Sequence, residues 1–317
     1  MKEILKKILI TVIFLLVMFL FNKNAFCVVG PISAGTLFEF DASSGVNPVL
    51  SQIDSTHYLA VYTGLKTDGW AVVLTVDTGT GLITKETAFE FDAANGEFCS
   101  IEKIDTTHYL VVYQGNRGDG FAVILTVNII TWAITSGTSF EFETKDCVYP
   151  DVVKIDSLNY LVAYEGNKGD GWATILTVDL GTDTVTQGTP FEFDTADGNT
   201  PSLEQIDATH YLLAYAGVRD DGWASILTVN TGTGIITQGT PFEFNTVSGF
   251  EPDLSQIDST HYLLAYRGAG LDATAVILTV NTVTDTITQG TPFIFDPISG
   301  YTPSISAITS TEHLVAF

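Results

Sequence analysis

The sequence predicts an all-β fold, a β-propeller of four-stranded antiparallel blades, on three observations. First, a unit of 51 residues recurs along nearly the whole chain. The phrase Ile-Asp-x-x-[His/Asn]-Tyr-Leu places its ring or amide at His57, His108, Asn159, His210 and His261, and the second ring of a Phe-x-Phe pair falls at Phe40, Phe91, Phe142, Phe193, Phe244 and Phe295. Second, each unit consists of short β-branched and aromatic runs punctuated by Gly, Asp and Asn turns, too short for helices. Third, two of those runs are apolar on both faces, so each unit must be covered front and back by its neighbours. A fixed period of this size marks stacked repeats, propellers above all.

The fourth unit shows the elements in order. Strand A is expected at Ser202 to Ile206 and strand B at Tyr211 to Ala216. Strand C follows at Trp223 to Val229, and strand D at Ile235 to Phe244, bent at Gly239 or Pro241. Side chains alternate along a strand, so Tyr211, Leu213 and Tyr215 point one way while Leu212 and Ala214 point the other. Strand D differs: Phe242 and Phe244 flank Glu243, and the same acid recurs at Glu39, Glu90, Glu141 and Glu192. That alternation suits a half-exposed outermost strand. A row of separate sandwiches would need more than 51 residues per unit, and a β-solenoid repeats in shorter coils.

The repeats occupy residues 36–317. Thr36 to Asp41 reads as a lone strand D, five complete sets follow, and Thr302 to Phe317 supplies one further A and B. Five full blades plus partial ones predict the front part of a six- or seven-bladed propeller. Ahead of the repeats, Lys2, Lys6 and Lys7 precede the apolar run Ile8 to Phe21, and Ala25-Phe26-Cys27 offers a small-residue exit. Residues 1–27 therefore read as a secretory signal peptide, with an uncleaved membrane anchor as the alternative. The expected location is outside the cell or on its surface.

Composition narrows the partners. The chain has 317 residues, 13 Lys+Arg against 37 Asp+Glu, and a formal charge of −24. So acidic a surface repels phosphate backbones, which excludes nucleic acid as an expected partner. Export permits a disulfide, and Cys99 and Cys147, in adjacent repeats, are the candidate pair. No Cys/His spacing suggests zinc.

On the strength of these repeats, the chain resembles the secreted bacterial β-propeller repeat proteins with about fifty residues per blade, the size class of kelch repeats. It lacks the kelch double glycine followed by Tyr and Trp, and the Trp-Asp ending of the WD repeat. The resemblance covers residues 36–317, implies architecture alone and carries over no functional residue.

Candidate chemistry is sparse. The recurring histidines each follow an Asp in the A–B turn, and Asn159 stands in for one of them, so turn structure explains them better than acid–base or metal work. Arg117-Gly118-Asp119 is an adhesion tripeptide elsewhere, but its sibling tips keep only Asp-Gly, a strong hairpin dipeptide. Trp70, Phe121, Trp172 and Trp223 could form stacking platforms for sugars, or simply pack blade against blade. Asp194 and Asp197 could hold calcium in a D–A loop. Strand A supplies the expected channel lining: Gln52, Lys103, Lys154, Gln205, Gln256 and Ala307 on one parity, or Ser51, Glu102, Val153, Glu204, Ser255 and Ser306 on the other. Neither ring contains a triad. The expected function is a binding or scaffolding module displaying loops to a glycan or protein. A polysaccharide hydrolase or lyase using Glu102 and Glu204, or a purely structural surface repeat, are the competing readings.

Overall fold

The computed structural model describes residues 36–309 and 312–317. The expected signal peptide at 1–27 lies outside the described residues. Among them, no helix is long and apolar enough to cross a membrane.

The repeats fold as the propeller the sequence predicts. Five antiparallel sheets succeed one another, followed by a two-stranded sixth formed by Ser304–Thr309 and Glu312–Ala316. In blade four the inner strand Asn199–Gln205 pairs with His210–Ala216, which pairs with Gly222–Asn230. The outer strand departs from expectation, because it is two strands. Ile235–Gln238 pairs with the far half of Gly222–Asn230, and Phe242–Asn245 pairs with its near half. The break falls at Gly239-Thr240-Pro241, where Gly239 N–H still reaches the Ile226 carbonyl (2.8 Å) but Pro241 has no N–H to offer the ladder.

Parity sets the packing. Tyr211, Leu213 and Tyr215 of blade four are buried with Leu161, Ala163 and Ile175 of blade three. Leu212 and Ala214, on the opposite face, are buried with Tyr262, Leu264 and Tyr266 of blade five. The same interdigitation joins blades one to two, two to three and five to six. Each fully buried aliphatic or aromatic side chain contributes about 1.5–3 kcal/mol, so the blade-to-blade faces are the core of the molecule.

A polar stitch runs along the same interfaces. The acid that ends each outer strand accepts a hydrogen bond from a tyrosine of the next blade: Tyr113 to Asp92 (2.9 Å), Tyr164 to Glu143 (3.0 Å) and Tyr215 to Asp194 (3.1 Å). Asp41 accepts from Tyr62 in the same way (3.1 Å), although Thr36 to Asp41, expected as a lone strand D, forms no strand. Between blades four and five Asn245 takes the acid's place and donates to Tyr266 Oη (3.2 Å).

The Asp-Gly dipeptides at the B–C tips do a different job from the one expected. The positive φ in blade three belongs to Lys168 (68°) and Gly169 (91°), in a short 3₁₀ turn, and Gly171 begins the next strand. Gly171 is glycine for want of space. A Cβ there would lie 2.2 Å from Cε2 of Phe193, and one on Gly198 would lie 2.4 Å from the Gly171 Cα. We therefore expect Gly171→Ala to lower stability by about 1–3 kcal/mol through overpacking. Gly188→Ala, where the nearest atom is 3.5 Å away, should change it by less than about 0.5 kcal/mol. Urea unfolding of the two variants makes the comparison.

Candidate functional site

The site grows out of an unfinished sheet edge. The inner strands Val46–Gln52, Glu97–Lys103, Val148–Lys154, Asn199–Gln205, Phe250–Gln256 and Ser304–Thr309 each pair on one side only. Their other edge faces the axis with free backbone groups, which need partners wherever water is excluded. Neighbouring blades supply them. Val152 N–H donates to Ser100 Oγ (3.3 Å), Leu203 N–H to Asp151 Oδ2 (2.7 Å), and Leu254 N–H to Ser202 Oγ (3.2 Å). Ile305 N–H donates to Asp253 Oδ2 in turn. Ser and Asp alternate in a belt about the axis, each capping the blade that follows.

The other end of the inner strands is closed in the reverse direction. Lys103 Nζ donates to the carbonyls of Gln52 (2.9 Å) and Ile53 (2.8 Å), and Lys154 Nζ to those of Lys103 (3.1 Å) and Ile104 (2.6 Å). The polar ring expected to line an open channel is thus turned partly onto the preceding blade's backbone.

Above the belt lies a cavity of 420 Å³ lined by three successive residues from each of the six inner strands. In each triplet the first residue is non-glycine yet left-handed: Asn47 (49°), Phe98 (49°), Tyr149 (49°), Thr200 (46°), Glu251 (50°) and Thr302 (43°). A bulge in the pairing of the first five blades accommodates it. Proline follows in every blade but the second, where Cys99 stands. Positive φ is uncommon for any of these residues and a genuine outlier for Thr.

The rim is chemically uneven. Phe98 and Tyr149 lie against each other with ring centroids 4.3 Å apart. On blade five, Glu251 Oε2 accepts Thr302 N–H (2.8 Å) and stands 3.7 Å from Arg267 Nη1. The Arg267 guanidinium sits over Phe250 (4.3 Å) and Tyr301 (5.4 Å). Burial, then the Glu251 and Glu165 charges, raises the Tyr149 phenol above its ordinary value.

Four carboxyls of the inner strands are hard to ionise. Burial raises Asp151, and it pushes Asp253 up to about 7, with the Asp151 charge adding to the effect. Glu102 and Glu204 are also pushed up to about 7, chiefly by burial. These two expected ligand-binding acids lie further along the inner strands and do not line the cavity. Asp151 and Asp253, which do, were not singled out from the sequence.

The other expected sites disperse. Trp70, Phe121, Trp172 and Trp223 are half-buried and none lines the cavity. Phe121, Trp172 and Trp223 pack against cores shared by two blades, and Trp70 against a core within blade one. Cys99 and Cys147 are free and buried, so the expected disulfide is not formed. They belong to two separate cores on opposite faces of blade two. Asp194 spends one carboxylate oxygen on the N–H groups of Ala196 and Asp197 and the other on Tyr215. No group of three or more His, Cys, Asp or Glu that could hold a metal is found among the described residues. Each histidine of the A–B turns gives its N–H and ring Nδ1 to the Asp three residues before it, at 2.9–3.0 Å in the case of His210, and Asn159 does the same through its amide.

Fold and cavity together define a β-propeller with an axial pocket. Solved structures of low sequence identity share this fold. A protein provisionally named a 6-phosphogluconolactonase from Bacteroides fragilis is 14% identical with a TM-score of 0.60, over 78% of this chain and 70% of that one. A second of the same provisional name from Bacteroides uniformis is 11% identical with a TM-score of 0.59, over the same shares. A protein of unknown function from Dyadobacter fermentans is 12% identical with a TM-score of 0.57, over 84% of this chain and 88% of that one. No protein-family model matches the chain, and no curated protein matches its sequence.

The shifted carboxyls fix a pH dependence. Glu102, Glu204 and Asp253 titrate at about 7 when folded and about 4 when unfolded. Between those values the folded chain holds more protons, so stability falls as pH rises through that window. Asp54 and Asp258 are held down to about 2, first by N–H bonds from Thr56 and Thr260. Asp105 is also held down to about 2, where burial opposes the bonds from Thr107 and His108 but does not prevail. These three add stability that is lost as pH drops from about 4 toward 2. Thermal unfolding should therefore show its maximum near pH 4–5 and a decline toward pH 8, and Glu102→Gln with Glu204→Gln should flatten that decline.

Proposed function

We propose that the protein is a binding module whose axial cavity takes the end of a saccharide. The observation that carries this is the pairing, in one concave site, of an aromatic wall (Phe98, Tyr149) with a floor of hydroxyls and carboxyls (Ser100, Asp151, Ser202, Asp253). Its 420 Å³ falls within the roughly 300–1,000 Å³ usual for small-molecule sites. A sugar offers an apolar ring face for the aromatics and hydroxyls for the floor. Export belongs to this reading, supported by the basic start and apolar run of residues 1–27.

Hydrolysis of a sugar ester or lactone is the second reading, favoured by Asp253, a cavity carboxyl that titrates near neutrality as a general base should. Two features oppose it. Both Asp253 oxygens already accept backbone N–H groups, from Leu254 and Ile305. The lining also holds no Lys, Arg or His to neutralise a phosphate, as the phosphorylated lactone named for the similar structures would require.

Titration calorimetry against a panel of oligosaccharides, run beside a lactone and ester hydrolysis panel, separates the readings. We expect saccharide binding with dissociation constants of about 1 mM or tighter, and no turnover. Turnover abolished by Asp253→Asn would replace the binding reading with the hydrolytic one.

A further inference from the structure

We propose that the saccharide end taken by this cavity carries a free amino group: a hexosamine whose ring face lies on Phe98 and Tyr149 and whose ammonium is directed at Asp253, Asp151 and Glu251. This inference rests on the saccharide reading above and narrows its substrate class.

The first support is an imbalance of charge. Three carboxyls line the cavity and no cationic side chain does. Asp151 and Asp253 are met by neutral groups alone, among them Ser100 Oγ at 3.0 Å and the N–H groups of Leu203, Leu254 and Ile305. Glu251 has one cation, Arg267, at 3.7 Å. Burial raises both Asp151 and Asp253, and an ammonium brought beside them by the ligand would favour their ionised forms. A uronate or sugar phosphate would add to the imbalance, and an N-acetylated sugar would leave it unchanged.

The second support is the backbone. A left-handed residue at a bulge is met most cheaply by Gly or Asn, and Asn47 follows that rule. Phe98 and Tyr149 break it, as do Thr200, Glu251 and Thr302. Strained non-glycine residues of this kind cluster at ligand sites and cost about 1–3 kcal/mol each, so their rings are retained for what they touch. The two rings meet at 4.3 Å beside a cavity rather than inside a core, and an aromatic face attracts both a sugar's C–H face and a nearby ammonium.

The test is calorimetry of the full chain at physiological salt with four probes: a glucosamine oligomer, its N-acetylated counterpart, a uronate oligomer and spermidine. The glucosamine oligomer should bind at least about tenfold tighter than the N-acetylated one, and the uronate should not bind. Tyr149→Gly should weaken glucosamine binding at least about tenfold while its urea midpoint stays level or rises, because glycine relieves the 49° φ. Glu251→Gln should reduce the preference for the free amine. Equal affinity for the acetylated and free forms would overturn the amine claim and leave saccharide binding standing. Absence of binding to every sugar would overturn both. Spermidine binding as tightly as the glucosamine oligomer would reduce the effect to attraction by an acidic surface, and a Tyr149→Gly variant that binds normally would remove the aromatic wall.

Discussion

Every blade leaves one backbone edge facing the axis, and the molecule holds together because the neighbouring blade closes that edge with side chains. Such closure works only at hydrogen-bond distance, so it demands that blades approach to a fixed separation. The interlocked apolar faces meet the same demand from the side: Tyr211, Leu213 and Tyr215 can be buried only if blade three stands where its Asp151 also reaches the next inner strand. Hydrophobic burial supplies most of the free energy, and edge capping supplies the register. The two constraints are satisfied by one geometry, which is why the edge caps recur with so little adjustment at the four junctions from blade two to blade six.

Much of the architecture was legible because it is written as repetition. Period alone identified the blade, and strand parity identified which faces pack, since Leu212 and Tyr211 are apolar for different neighbours. The alternating outer strand was read as half-exposed, and its acid is exposed at Glu90 and Glu141 and partly buried at Glu192 and Glu243. Other features resisted. Asp-Gly at the tips carries the composition of a hairpin turn, yet Gly171 is small because Phe193 and Gly198 crowd it. Crowding of that kind comes from residues distant in sequence. The two cysteines sit in neighbouring repeats, but nothing in their spacing tells which face of blade two each one enters.

The candidate site was the least legible part. Glu102 and Glu204 drew notice because they break a ring of small residues, whereas Asp151 and Asp253 alternate with serines and look like solvated polar positions. Left-handed geometry at Phe98, Tyr149 and Thr200 has no compositional sign, since the residues that usually report it are absent. One signal was available. The two residues before the repeated Pro, from Val46-Asn47 to Tyr301-Thr302, change character in every copy while their surroundings hardly change. Variation confined to one spot of a tightly packed repeat marks a place where packing imposes nothing.

That confinement bears on how such a protein acquires new tastes. The second residue of each pair hangs over the axial mouth outside the ladder register and the apolar faces, so a change there leaves most of the chassis intact. Duplicating a blade brings along both its cap donor and its cap acceptor, and a later change at the bulge then alters only what the mouth prefers. Six such positions around one opening amount to a combinatorial keypad, set by six independent choices of side chain on an invariant frame.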